Sequence, residues 1–137
     1  MARTPLSEAS FDERLLVWVQ AVASLVLLVA FLVFEDLPMV DLPQHAAQIA
    51  AWQRLDDPTS GLGERFELNL RTPYVLANAV ARLLSPLVGA VVALKLVVWL
   101  AVVGNMLALR GLARRLGHDP WLSVFGLITA CGLCFYF

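Results

Sequence analysis

Leu15 to Phe34 reads LLVWVQAVASLVLLVAFLVF, 20 residues without a charge. At about 1.5 Å per residue, an α-helix of that length covers the roughly 30 Å hydrocarbon core of a bilayer. This stretch therefore predicts a membrane span. It is too long for the apolar core of a signal peptide, and no small-residue cleavage site follows Phe34, so it is expected to remain in the protein as a signal-anchor helix. Gln20 and Ser24 are four residues apart and share a helix face, which is expected to turn toward other helices rather than lipid.

The whole chain agrees with this start. Of its 137 residues, 60% are hydrophobic and 15% charged, against the roughly 25% charged residues of a soluble domain. Mean hydropathy is +0.76. The net charge of -1 excludes the basic footprint of a nucleic-acid partner. The partner that composition implies is the lipid bilayer. Cys131 and Cys134 lie in an apolar run and read as core packing, not as a redox or disulfide pair.

Beyond the first span the character changes. Residues 1–14 are short and polar, and 35–85 form a loop with seven acids and four arginines. Within it, Leu42 to Leu55 predicts a helix that Asp41 can cap, with Gln44 three residues on completing a capping box. Asp57-Pro58 and Gly61-Leu62-Gly63 mark turns. FELNL, Phe66 to Leu70, alternates too briefly for a firm strand. Thr72-Pro73 starts a second short helix, 73–84, which is too short to span and carries Arg82, so it is expected at the membrane interface. Ser85-Pro86 starts a second span, 86–109, and Pro120 a third, 120–137, still apolar where the sequence stops. The expected fold is all-α and polytopic, with three spans in a chain that reads as the N-terminal piece of a larger protein. The arginines at 110, 114 and 115 place the 110–119 loop in the cytoplasm, which puts 35–85 outside and the N-terminus inside.

Chemistry is expected in the outer loop. Gln44, His45, Gln48 and Trp52 fall within about 100° of a helical wheel, amides beside an indole that suit a sugar or a phosphate headgroup. Asp41 has two readings, a cap worth about 1 kcal/mol or a functional carboxylate; Trp52 is a binding surface or an interfacial anchor. Glu35 and Asp36 are either the solvated boundary of the span or ligands for a divalent cation, which needs further donors. Lys95, about nine residues or 14 Å into the second span, costs about 2.5–3.5 kcal/mol there unless paired or hydrated. It either snorkels or meets a carboxylate or lipid phosphate inside the bundle. Arg71 and Arg82 flank the interfacial helix where they can meet phosphate.

The order of these features resembles the start of the GT-C glycosyltransferases, polytopic enzymes that use lipid-phosphate-linked sugars on the non-cytoplasmic face. The resemblance rests on Glu35-Asp36, DLPQH (Asp41 to His45), TPYVLANAVARLL (Thr72 to Leu84) and LALRGLARRL (Leu107 to Leu116). DLPQH is also similar to a motif of uncharacterised bacterial multi-span proteins, so a bacterial plasma membrane is the expected location. The resemblance implies a polyprenyl-phosphate sugar donor. It implies Asp41 as general base or acceptor-orienting carboxylate, with Asp36 either supporting it or helping to bind a divalent cation; His45 is a further candidate catalytic residue, and Glu35 with Asp36 are the candidate cation ligands. Arg71 and Lys95 would then stabilise the departing phosphate, and Gln48 and Trp52 would bind substrate. The alternative is a non-enzymatic transporter or assembly component whose outer loop is a binding element.

Overall fold

A computed structural model of the chain describes residues 6–34, 41–69, 71 and 74–128. Among them there are four α-helices, α1 (Leu6–Val33), α2 (Leu42–Gln53), α3 (Val75–Val88) and α4 (Ala90–Arg115), then a short 3-10 helix, Pro120–Ser123, and no strand. The 66–69 segment is irregular.

Among the described residues two helices, not three, are long and apolar enough to cross a membrane: Asp12–Val33 within α1, and α4. The third span expected from Pro120 begins instead as the 3-10 helix, followed by helix at 124–128. The remainder of that expected span, with Cys131 and Cys134, lies outside the described residues.

Helices α1 and α4 run antiparallel, because their contacts descend α1 as they climb α4. Lys95 reaches Phe34, Trp99 donates to the Ser24 carbonyl at 2.8 Å, Arg110 bonds Gln20, and Arg114 bonds Glu13. The buried face of α1 is Leu16, Gln20, Ser24 and Phe31, spaced so that one stripe faces its partner. The expected turn of Gln20 and Ser24 toward protein is what is found. The rest of the span stays uncovered, with only 17% of the most apolar stretch of α1 and 28% of that of α4 buried. A soluble core helix would be covered on all sides; these are covered on one.

Helices α2 and α3 sit at the Lys95 end of the hairpin. Leu42, Ala46 and Ile49 project from one face of α2 onto Ala81 of α3 and Ala93 and Leu94 of α4, with Leu84, Ala90 and Val97 around them. Alanines at 46, 81 and 93 let the three backbones approach, and Ile49 fills the space between; truncating such a residue to alanine costs about 2–5 kcal/mol.

The expected helix start at Ser85-Pro86 is displaced. α3 runs through Pro86 to Val88, and the break falls at Gly89, whose φ of 83° and ψ of 158° suit only glycine. Continuation through proline has a local cause. Pro86 has no N–H for the Arg82 carbonyl four residues back, and the Ser85 hydroxyl donates to that oxygen at 2.9 Å instead. At the other end, α4 extends beyond Leu109 to Arg115. There Gly117 takes φ 71°, its N–H reaches the Arg114 carbonyl, and the His118 N–H reaches Ala113, the pattern of a Schellman stop. Asp119 then caps the 3-10 helix by accepting from Trp121 N–H at 2.9 Å.

Candidate functional site

Helix α2 has two working faces. Its apolar face enters the core, and the opposite one, Gln44, Ala47, Gln48, Ala51 and Trp52, forms with Leu55 just beyond the helix end one wall of a cavity of about 610 Å³. Gln44, Gln48 and Trp52 are four residues apart in turn, so the two amides and the indole stack along one side. Val75 and Asn78 of α3 make a second wall, and Phe66, Glu67, Leu68 and Asn69 a third.

The third wall depends on a tight turn system. Asp57 accepts from both the hydroxyl and the amide of Thr59, at 2.6 and 2.9 Å. The Ser60 hydroxyl donates to the carbonyls of Arg54 and Asp57, and its oxygen accepts from Leu62 N–H. Gly63 then passes so close to the end of α2 that a Cβ there would stand 2.6 Å from the Leu55 carbonyl oxygen. That approach turns residues 66–69 back beside the helix. The Asp57 carboxyl is held below the ordinary carboxylate range, first by the Thr59 hydroxyl, then by the Thr59 amide, with a smaller contribution from the Arg54 charge.

Trp52 is held from behind. The Arg82 guanidinium lies 5.1 Å from the centre of its ring, a cation–π contact worth about 0.5–1 kcal/mol at an exposed site. One residue on, Gln53 donates its side-chain amide to the Ser85 hydroxyl. Together these tie the end of α2 to the proline-containing turn of α3.

The residues expected to act together are partly separated. Gln48 and Trp52 line the cavity. His45 does not; it is half-buried against Tyr74, ring centres 5.3 Å apart and tilted by 52°, and its Nδ1 is buried without a hydrogen-bond partner among the described residues. Asp41 is exposed at the start of α2, in helical backbone geometry, and its carboxylate makes no capping bond. The expected capping box is therefore not formed: with the backbone at φ -93°, ψ -4°, Asp41 lacks the extended conformation from which a capping side chain reaches the next turn. Arg71 is exposed, its own N–H donating to Asn69 Oδ1 at 2.9 Å. Glu35 and Asp36 lie outside the described residues.

Lys95 is 5% exposed, and its Nζ donates to the Phe34 carbonyl at 2.8 Å. Because α4 starts at Ala90 rather than at 86, the lysine sits in the second turn, about 8 Å from the helix start. Phe34 follows the last residue of α1, where carbonyls have no partner within the helix and the dipole favours a cation.

Three polar wall residues escaped the sequence reading: Glu67, Asn69 and Asn78. Asn78 was legible in principle, as a poor helix former in the middle of a helical stretch. Glu67 and Asn69 alternate with Phe66 and Leu68, a pattern suggestive of a strand and not of a cavity wall. Among the described residues no three His, Cys, Asp or Glu side chains group to hold a metal ion; the expected cation ligands, Glu35 and Asp36, are not among those residues. No family model, curated protein or solved structure matches the chain.

Proposed function

We propose that this chain is part of a membrane glycosyltransferase that uses a polyprenyl-phosphate-linked sugar on the non-cytoplasmic face, with the sugar held in the cavity between α2, α3 and residues 66–69. The observation that carries this reading is the cavity wall itself. Gln44, Gln48, Asn69 and Asn78 offer amides that both donate and accept, beside the indole of Trp52, the ring of Phe66 and one carboxylate, Glu67. A pyranose carries hydroxyls around its rim and C–H groups on its faces, so amides satisfy the rim while an aromatic ring covers a face.

A membrane setting is supported by the uncovered apolar surface. Trp18, Val22, Leu25, Val29 and Leu32 form one exposed stripe on α1, and Leu76, Leu83 and Leu87 another on α3. Apolar patches this large mark contact with lipid or with other protein. In this reading α1 and α4 cross the bilayer, and α3 rests its leucine stripe on the outer interface. The arginine-rich end lies in the cytoplasm by the positive-inside rule. Asp41 stands three residues before Gln44, about 4.5 Å along the axis. It acts there as the base that takes a proton from an incoming hydroxyl, and Glu67 orients the sugar.

The engagement of Lys95 with Phe34 favours a second reading, since it leaves Arg71 alone of the two cations assigned to the departing phosphate. The cavity then belongs to a transporter or assembly component that binds a saccharide without transferring it. Reconstituted protein with a polyprenyl-phosphate hexose decides between them. Transfer and binding that both fall in Gln48→Leu and Asn78→Leu support the enzyme; donor binding without transfer by the parent supports the second reading. Parent-like donor binding by both variants removes the cavity as the sugar site.

A further inference from the structure

At the opposite end of the hairpin lies a second, smaller cavity of about 310 Å³, lined by Glu13, Arg14, Val17, Trp18 and Arg110. None of these residues serves the saccharide cavity. Arg110 is held from two sides: one nitrogen donates to Gln20 Oε1 at 3.1 Å and another stands 3.6 Å from Glu13. Gln20 is itself fixed, its amide donating to the Ser123 hydroxyl at 2.7 Å, which donates onward to the Pro120 carbonyl. The guanidinium is therefore preset by three elements, α1, α4 and the 3-10 helix, rather than swinging freely.

Charge at this cavity does not balance. Glu13 is shared between Arg110 and Arg114, and Arg14 lines the cavity as well. The Arg110 side chain is 14% exposed, and its Nε–H is buried with no acceptor. Two guanidiniums, Arg14 and Arg110, face this cavity against the single carboxylate of Glu13, which Arg114 also engages, so the lining carries excess positive charge that suits an anion with several acceptor oxygens. Below the arginines, Val17 and Trp18 open the exposed apolar stripe that continues through Val22, Leu25, Val29 and Leu32. Anion-binding groups at the head of an apolar track match an anionic lipid: phosphate against the guanidiniums, acyl chain along α1.

We propose that Arg14 and Arg110, with Trp18, form a binding site for the phosphate of an anionic phospholipid in the cytoplasmic leaflet. The proposal rests on α1 and α4 spanning a membrane, not on what the outer cavity holds. The test uses the whole chain in nanodiscs of phosphatidylcholine doped with phosphatidylglycerol, reading bound lipid by native mass spectrometry. Phosphatidylglycerol is expected to be retained over phosphatidylcholine, and Arg110→Gln and Arg14→Gln are each expected to lower that retention about tenfold, the worth of one charge-assisted hydrogen bond. Arg14 is exposed, so its variant reports binding even where loss of Arg110 disturbs helix pairing. Arg115→Gln, outside the cavity, is expected to change nothing; an equal loss there means diffuse charge attraction and overturns the site. Displacement by millimolar inorganic phosphate, without preference between the two lipids, overturns the lipid in favour of a free phosphate. A chain that carbonate washing strips from membranes overturns the spanning arrangement and this site together. A chain that stays in the membrane with no lipid preference overturns the site alone.

Discussion

The ammonium of Lys95 donates 2.8 Å to the carbonyl oxygen of Phe34, a residue 61 positions earlier in the chain. The bond joins the second turn of α4 to the C-terminal end of α1. It gives a buried cation an acceptor and an unpaired helix-end carbonyl a donor. Lys95→Met keeps the length and apolar bulk while leaving that carbonyl unmet. The expected result is a loss of about 1–3 kcal/mol in resistance to unfolding in detergent, with the substrate affinity of the folded fraction unchanged. Unchanged stability with lost affinity would return Lys95 to a phosphate-binding role.

Ser85 and Pro86 form a compensated pair. The hydroxyl supplies to Arg82 the donor that proline lacks and accepts from Gln53 as well. Ser85→Ala is expected to cost about 1–2 kcal/mol, while Ser85→Ala with Pro86→Ala recovers part of it, because alanine restores the backbone N–H. Thermal unfolding of the two variants checks this. A double variant less stable than Ser85→Ala alone would remove the compensation.

Asp57 predicts a pH effect on the turn that shapes the cavity beside α2 and α3. Its folded carboxyl titrates below its unfolded value because Thr59 donates to it twice. The turn's contribution is therefore present above the unfolded carboxylate range and is lost as pH falls through the lower, folded value. Thr59→Val deletes the hydroxyl bond and keeps the amide. Carboxyl-carbon NMR should show Asp57 moving up toward the ordinary range in that variant; an unmoved titration would mean that Thr59 is not its cause.

Asp41 separates catalysis from capping. With no side-chain cap in place, Asp41→Ala should fall within about 0.5 kcal/mol of the parent in stability, the range of ordinary surface changes, rather than losing the 1 kcal/mol of a cap. If Asp41 is the base, Asp41→Asn loses roughly a hundredfold or more in sugar transfer with folding intact. Full transfer by Asp41→Asn, with loss in Glu67→Gln, would move the base to Glu67.

Much of this protein is written locally. Twenty uncharged residues from Leu15 make a long apolar helix wherever they are placed, and the four-residue spacing of Gln20 and Ser24 forces them onto one face. The spacing of Gln44, Gln48 and Trp52 likewise puts them in one line, because helical periodicity is a property of neighbours in sequence. Tertiary structure decided the pairings. The antiparallel register of α1 and α4 brought Lys95 to Phe34 and Arg110 to Gln20. The close passage of Gly63 by Leu55 carried Glu67 and Asn69 into the cavity wall. A hydroxyl from Ser85 kept α3 helical through Pro86 and moved the break to Gly89. Each of these depends on where a distant group arrives once the helices pack, and no periodicity within a single segment encodes that.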